Sequence, residues 1–213
     1  MFIALREIRQ SSGRFALLIG AVSLLVLLLL FFQAVAGSLT LGLTGGTDSS
    51  SSDIWVYDAR ARSNPNASVL ETSVADTIGS VDGVAEAGPI GLSVFVSKAS
   101  GAETEVVLVG GDPSGPAGPK DLSSGDRPSA DDEAVYSESS LASGGFGLGD
   151  QIEVGGQTIT VVGIADEAAF NVLPTFYVPF DTYAAAVSAR AGSSFDVPAS
   201  VIGVIVEEGE DPA

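Results

Sequence analysis

Apolar residues are spread very unevenly along this chain. From Phe15 to Ala36 they run almost unbroken, FALLIGAVSLLVLLLLFFQAVA, 22 residues without a charge and with Gln33 as the one strongly polar side chain. A helix of this length rises about 33 Å, enough to cross a hydrocarbon core about 30 Å thick. A helix apolar on every face must be buried in lipid or in a large core, and the rest of the chain is too polar and Gly-rich to wrap it. Residues 15–36 therefore read as a transmembrane helix. Ahead of it, Phe2, Leu5 and Ile8 recur at three-residue spacing, with Arg6, Glu7, Arg9 and Gln10 between them. Residues 1–14 read as a cytoplasmic amphipathic segment lying in the headgroup region, and equally as a plain basic leader. Ala34-Val35-Ala36 has the form of a signal-peptidase site, but the apolar run exceeds the usual leader core of about 7–15 residues, which favours a retained helix.

After Ala36 the pattern changes to short apolar runs broken by Gly, Pro, Ser and Asp. Residues 37–52, ending in Thr44-Gly45-Gly46-Thr47-Asp48 and four serines, predict a flexible linker or stalk. Asp53 to Asp58 (DIWVYD) is the first strand. Val69, Leu70, Val74, Thr77, Ile78 and Val81 have helical spacing and predict a helix over 67–81. Leu92 to Val96 and Thr104 to Val109 predict a hairpin, and Gly110 to Asp132, with four prolines, a long exposed loop. A strand at 134–137 and a helical turn at 139–142 follow. Gly155-Gly156 joins Ile152–Val154 to Thr158–Ile164 in the clearest hairpin of the chain. Pro174 to Pro179 predicts a strand, Thr182 to Ala189 a helix with Asp181 at its N-cap, and Val201 to Val206 a last strand. The expected class is α+β: one N-terminal transmembrane helix, then a mixed, hairpin-rich extracellular domain over 53–206 and a polar end at 207–213.

Charge gives the helix a direction. Of nine Lys and Arg, three (Arg6, Arg9, Arg14) precede Phe15 with a single acid, so six bases face 26 acids after it. Positive flanks stay cytoplasmic, which places the N-terminus inside and the main domain outside, at the cell membrane. The acidic surface excludes nucleic acid as a partner.

Candidate chemistry is sparse. The chain has no Cys and no His, so Ser–His and Cys–His nucleophiles are excluded and zinc is disfavoured. A Ser–Lys pair would need Lys98, at a strand end, or Lys120, in the loop. Asp131-Asp132-Glu133 and Glu207-Glu208 read as solvated carboxylates. Gly145, Gly147 and Gly149 lead into a strand with no P-loop lysine after them, so they make a turn and not a phosphate loop. Asn66-Ala67-Ser68 fits the N-glycosylation sequon. No catalytic, cofactor-binding or metal-binding residue is assigned, no cofactor is called for, and the polypeptide is not expected to be an enzyme.

Two segments resemble a known family. ALREIRQSSGRFALLIGAV resembles the start of ABC transporter permeases of the FtsX/MacB/LolC type. Residues 135–166, with Gly147-Leu148-Gly149-Asp150 and Val161-Val162-Gly163-Ile164, resemble the hallmark of their MacB-like periplasmic core domain. The resemblance implies four membrane helices with a large extracellular domain after the first, a separate or fused cytoplasmic ABC ATPase as partner, and pairing as a homodimer or with another permease. ATP-driven motion inside would pass along the helices (mechanotransmission) to export or extract a substrate outside. No second apolar span follows Val206, so the chain is expected to be the N-terminal part of a longer permease, with a truncation point in 207–213. The alternative is a single-span anchored, or secreted, binding module without an ATPase partner.

Overall fold

The computed structural model describes residues 12–62, 64–99, 102–138 and 145–209. Residues 1–11 of the amphipathic segment expected at 1–14, and the helical turn expected at 139–142, lie outside the described residues. The chain divides into two compact units, Met1–Thr40 and Leu41–Ala213.

In the first unit the apolar run forms helix α1, Ser12–Asp48, which continues into the second. Gly13–Gly37 is long and apolar enough to cross a membrane. Every side chain in that stretch is exposed, which in water would leave a continuous apolar cylinder uncovered.

Among the described residues the second unit has nine strands: β1 (Ile54–Val56), β2 (Val84–Ala99), β3 (Ala102–Gly111), β4 (Ser124–Gly125), β5 (Glu133–Ser137), β6 (Gln151–Val154), β7 (Gln157–Ala165), β8 (Thr175–Pro179) and β9 (Val201–Val206). Six of them pair in a ring. β2 pairs β3, β3 pairs β8, β8 pairs β5, β5 pairs β7, β7 pairs β6, and β6 returns to β2 through Ser97↔Val154 and Lys98↔Glu153. The β3–β8 and β5–β7 pairs are parallel and the others antiparallel. A ring of pairings is a closed barrel, in which these strands have no free edge over the paired stretches.

Alternation along the strands fills the barrel. Phe95, Leu108, Tyr136, Ile152, Val161 and Phe176, one from each of the six strands, join a single buried cluster. Their neighbours Val107, Val109, Val135 and Tyr177 point the other way into a second cluster, which Trp55 and Phe170 help to cover. Both faces of β3 are thus buried, and its sequence VVLVG is apolar without alternation. Between Ala134 and Val135 the β5–β7 register slips by a residue, so Ile159 and Val161 face inward while Ala165 faces outward.

Helix α3, Phe180–Ala191, packs on the barrel, with Tyr183 and Ala186 in the barrel cluster. Its fit depends on missing side chains. A Cβ on Gly110 would lie 2.1 Å from Tyr183 Cβ, and one on Gly155 2.7 Å from Ala186 Cβ. Gly155 and Gly156 also carry the positive φ values of the β6–β7 turn, 57° and 78°. The helix starts after Pro179, with Asp181 in its first turn and not at the N-cap, and stops at Gly192 (φ 70°).

The remaining strands form a small antiparallel layer, β1–β9–β2, that uses only the first part of β2 (84–90). Helix α2, Val74–Gly79, covers it with Ala75 and Ile78 against Ile202 and Val204.

Three expectations need correction. The helix expected over 67–81 is confined to 74–79, because Leu70 exchanges two backbone hydrogen bonds with Ala199, at 3.0 and 2.9 Å, and cannot be helical there. The flexible linker or stalk expected over 37–52 is helix to Asp48 and then a hydrogen-bonded segment. Part of the exposed loop expected at 110–132 is buried: Pro113 and residues 115–119 are covered. Arg127 holds them by donating to the carbonyls of Pro113 (2.6 Å), Pro119 (2.9 Å) and Lys120 (3.0 Å). Both hairpins and every strand but β4, which lies within the segment expected as a loop, follow the sequence pattern.

The packing of α3 predicts that Gly110→Ala, which forces Tyr183 off β3, lowers stability by about 3 kcal/mol. Gly79→Ala, whose Cβ would meet only Ala87 at 3.9 Å, should change it by less than about 1 kcal/mol. Urea unfolding followed through Trp55 emission distinguishes the two; equal effects would contradict the packing described.

Candidate functional site

The sequence-derived candidates for chemistry do not converge. Lys98 pairs with Glu103 at 3.6 Å, both well exposed, and Lys120 is exposed in the loop. Glu133 accepts from the Ser129 N–H (2.6 Å), the Ser129 hydroxyl (3.0 Å) and the Ala130 N–H (3.2 Å), and these bonds, Ser129 first, hold its carboxyl below the ordinary range. Asp131 and Asp132 are exposed, as are Glu207 and Glu208. Gly147 N–H donates to Asp150 Oδ2 (2.8 Å) and Gly149 N–H to Val161 O (2.8 Å), so these amides are engaged in a turn. No cluster of three metal-ligating side chains occurs among the described residues.

What stands out instead is a junction within the second unit, where the end of α1 meets the loop 166–174. Gly45 and Gly46 are buried. A Cβ on Gly45 would lie 2.6 Å from Glu167 O, and one on Gly46 2.5 Å from the Phe170 ring. Two adjacent glycines let the helix backbone touch this loop directly. Ser49 Oγ then donates to Glu167 O at 3.0 Å. Beyond it the serines latch onto the buried part of the 110–132 segment. Ser52 Oγ donates to Pro116 O (2.7 Å), Ser51 N–H to Gly118 O (2.9 Å) and Lys120 N–H to Ser49 O (2.8 Å). Asp53 N–H donates to Val204 O (2.8 Å), and its Oδ2 accepts from Val206 N–H (3.0 Å). A tract that composition alone reads as flexible is fixed because nearly every serine finds a backbone partner.

The loop is itself clamped from below. Ala168 N–H donates to Ser137 Oγ (3.0 Å), Phe170 N–H to Thr175 Oγ1 (2.9 Å), and Thr175 Oγ1 to Leu173 O (3.1 Å). The Tyr177 hydroxyl donates to Ala168 O. Burial pushes the Tyr177 phenol far above its ordinary value, keeping it neutral and a donor. Phe170 lies between Gly46 and two further rings, 5.9 Å from Trp55 and 6.4 Å from Tyr177 between centroids.

This loop carries backbone strain. Four non-glycine residues among those described have positive φ, and three are here: Glu167 (55°), Asn171 (53°) and Val172 (66°). Residues 170–173 form a turn closed by Leu173 N–H to Phe170 O at 3.0 Å, with positive φ at both central positions. Such a turn favours Asn-Gly. Asn171 suits its place, but Val172 is β-branched where glycine belongs. Sequence reasoning missed this junction. The signal it offered was Gly45-Gly46 inside an otherwise helix-compatible run.

Comparison with known proteins gives a consistent picture. Residues 15–213 match the family profile of the MacB-like periplasmic core domain. No curated protein matches the sequence. Among solved structures, the extracellular domain of the noncanonic ABC-type transporter YknZ from Gram-positive bacteria superposes with a TM-score of 0.50 at 19% identity, covering 73% of this chain and 83% of that one. The periplasmic region of MacB from Actinobacillus actinomycetemcomitans gives 0.52 at 12% identity, covering 74% and 75%. The shared fold is thus a mixed sheet-and-helix domain, which in this chain comes after one apolar helix in sequence.

Two predictions follow from the clamped loop. Val172→Gly removes a left-handed β-branched residue, which costs about 1–3 kcal/mol, against a glycine entropy penalty of about 0.5–1 kcal/mol. It should raise stability by about 1 kcal/mol in urea unfolding; a loss would show that Val172 is not strained. Tyr177 has a folded-state pKa raised above the unfolded value of about 10, so its contribution is complete below pH ~10. It declines above that, because only the unfolded chain releases the proton, at up to about 1.4 kcal/mol per pH unit. Burial raises Tyr183 and Tyr57 in the same direction. Tyr177→Phe should cost about 1 kcal/mol at neutral pH and flatten the alkaline fall; an unchanged alkaline slope would assign it to the other two.

Proposed function

The chain belongs to the MacB-like periplasmic core domain family of FtsX/MacB-type ABC transporter permeases, and from this we propose that it is the N-terminal part of a permease subunit that couples ATP hydrolysis by a cytoplasmic ABC ATPase to movement of its outer domain. The output is export or extraction of a substrate on the outer side. The supporting observation is the junction: α1 reaches its end at Asp48 through two buried glycines, against a loop held by Ser137, Thr175 and Tyr177. A flexible tether would dissipate displacement. A helix end in backbone contact with the domain it serves passes displacement on.

The division of labour follows the chain: residues 1–14 at the cytoplasmic headgroups, 15–36 in the bilayer, 37–52 as stalk and 53–206 as the moved domain. Three arginines before the span and 26 acids after it support an N-terminus inside and the domain outside. The later membrane helices of the longer permease would lie beside Gln33, and the permease would pair with a second one, identical or different.

Expression of the full-length permease in its native membrane should bring down an ABC ATPase in a pull-down analysed by mass spectrometry. A cross-linked pull-down with no ATPase overturns the proposal in favour of an anchored binding module. In the reconstituted complex, ATP should change hydrogen exchange of the Ala168 and Phe170 amides. Gly46→Leu should retain the ATPase and lose that ATP-dependent change, whereas a wild-type response in Gly46→Leu would remove the junction from the coupling path.

A further inference from the structure

The junction borders a cleft of about 330 Å³ whose walls come from three directions. Thr47 belongs to the end of α1, Tyr57 follows β1, Ser93 and Val107 lie on β2 and β3, and Phe170 and Asn171 belong to the strained turn. No acid and no base lines it. In a chain with 27 Asp and Glu that is unusual. The cleft beside the start of α3 is lined by Glu71, Asp181 and Asp196.

We propose that this cleft is a binding site for a small uncharged molecule combining an aromatic ring with amide or hydroxyl groups, and that its occupancy sets how Phe170 rests against the end of α1. The chemistry follows from the walls. The faces of Tyr57 and Phe170 offer a slot for a ring. The hydroxyl of Tyr57 and the amide of Asn171 offer both donors and acceptors, while the Ser93 hydroxyl is paired with Tyr183 at 3.0 Å. A charged ligand would give up its water for walls with no counter-charge, which is strongly unfavourable. The volume lies in the range of small-molecule sites. The coupling follows from position. Phe170 is at once a wall of the cleft, the residue on which Gly46 rests and the first residue of the 170–173 turn. A ligand that fills the cleft therefore meets an element already held away from its relaxed conformation. The coupling rests on the permease reading, but binding itself is read without ATP or ATPase, so failure of either is distinguishable.

Trp55 is the only tryptophan and lies 6.4 Å from Tyr57 and 5.9 Å from Phe170 between centroids, so its emission reports the cleft. The full chain in phosphatidylcholine vesicles is titrated at about pH 6, below the usual α-amino pKa, with three probes built on one phenylalanine scaffold: N-acetylphenylalaninamide (neutral), N-acetylphenylalanine (anionic) and phenylalaninamide (cationic). The neutral probe should shift Trp55 emission saturably and bind at least about fivefold more tightly than either ion. Asn171→Asp keeps size and tolerance of positive φ and adds a carboxylate to the wall. It should shift preference toward phenylalaninamide by about fivefold or more, with far-UV circular dichroism confirming the fold. A linear response to the neutral probe, equal affinity for all three, or an unchanged charge preference in folded Asn171→Asp would each overturn the proposal.

Discussion

Everything in the second unit depends on one strand keeping two sets of hydrogen-bond partners. β2 gives its first half to β9 and its second to β3 and β6, with the change between Ile90 and Gly91. Backbone groups buried without partners are costly, so a strand running from one layer into another must be met on each side as it goes. That requirement closes the six-stranded ring and attaches the small layer to it. It also explains where the glycines crowd. Gly91 begins the second half, and Gly110 sits opposite it across the β2–β3 register, and both must be bare for Tyr183 to lie over the pair. The helix on the barrel and the partner exchange in β2 are consequences of one piece of geometry.

The junction has the opposite character. The barrel cluster is apolar and fully packed, whereas the end of α1 is held by backbone contact at two glycines and by serine hydroxyls. Hydrogen bonds of this kind contribute about 1 kcal/mol each and can be exchanged singly, while a packed core is displaced only as a body. The barrel and the segment 45–52 therefore differ in what displaces them: the one only as a body, the other contact by contact. The strained turn at 170–173 lies at that boundary and not in the barrel. Strain in the barrel would weaken the whole domain; at the boundary it weakens one contact.

Much of this was legible in the sequence where a single period dominates. The apolar run before Ala36, the β6–β7 hairpin with its Gly-Gly turn and the β2–β3 hairpin each follow from local pattern. What was not legible depends on partners distant in sequence. Leu70 looks helical until Ala199 takes its backbone hydrogen bonds. Residues 49–52 look like a flexible tether until the carbonyls of Pro116 and Gly118 meet them. Barrel closure depends on two bridges between β2 and β6, which no spacing rule announces. The candidate site was the least legible part, since it is made of glycines, serines and a turn residue with no chemistry of their own.

The position of β9 has a consequence for how the chain reaches this state. Among the described residues it is the last strand in sequence, yet it lies between β1 and β2, and Ile54 pairs with Val204, 150 residues away. As synthesis proceeds, β1 and the first half of β2 have no partner until residues near 206 have emerged. Pairing over such separations is slow, and unpaired strands exposed during the wait invite association with other chains. The excess of acids after the span bears on that interval: like charge keeps incomplete chains apart. The acidity of this protein can thus be read as protection during its own assembly as much as a property of its finished surface.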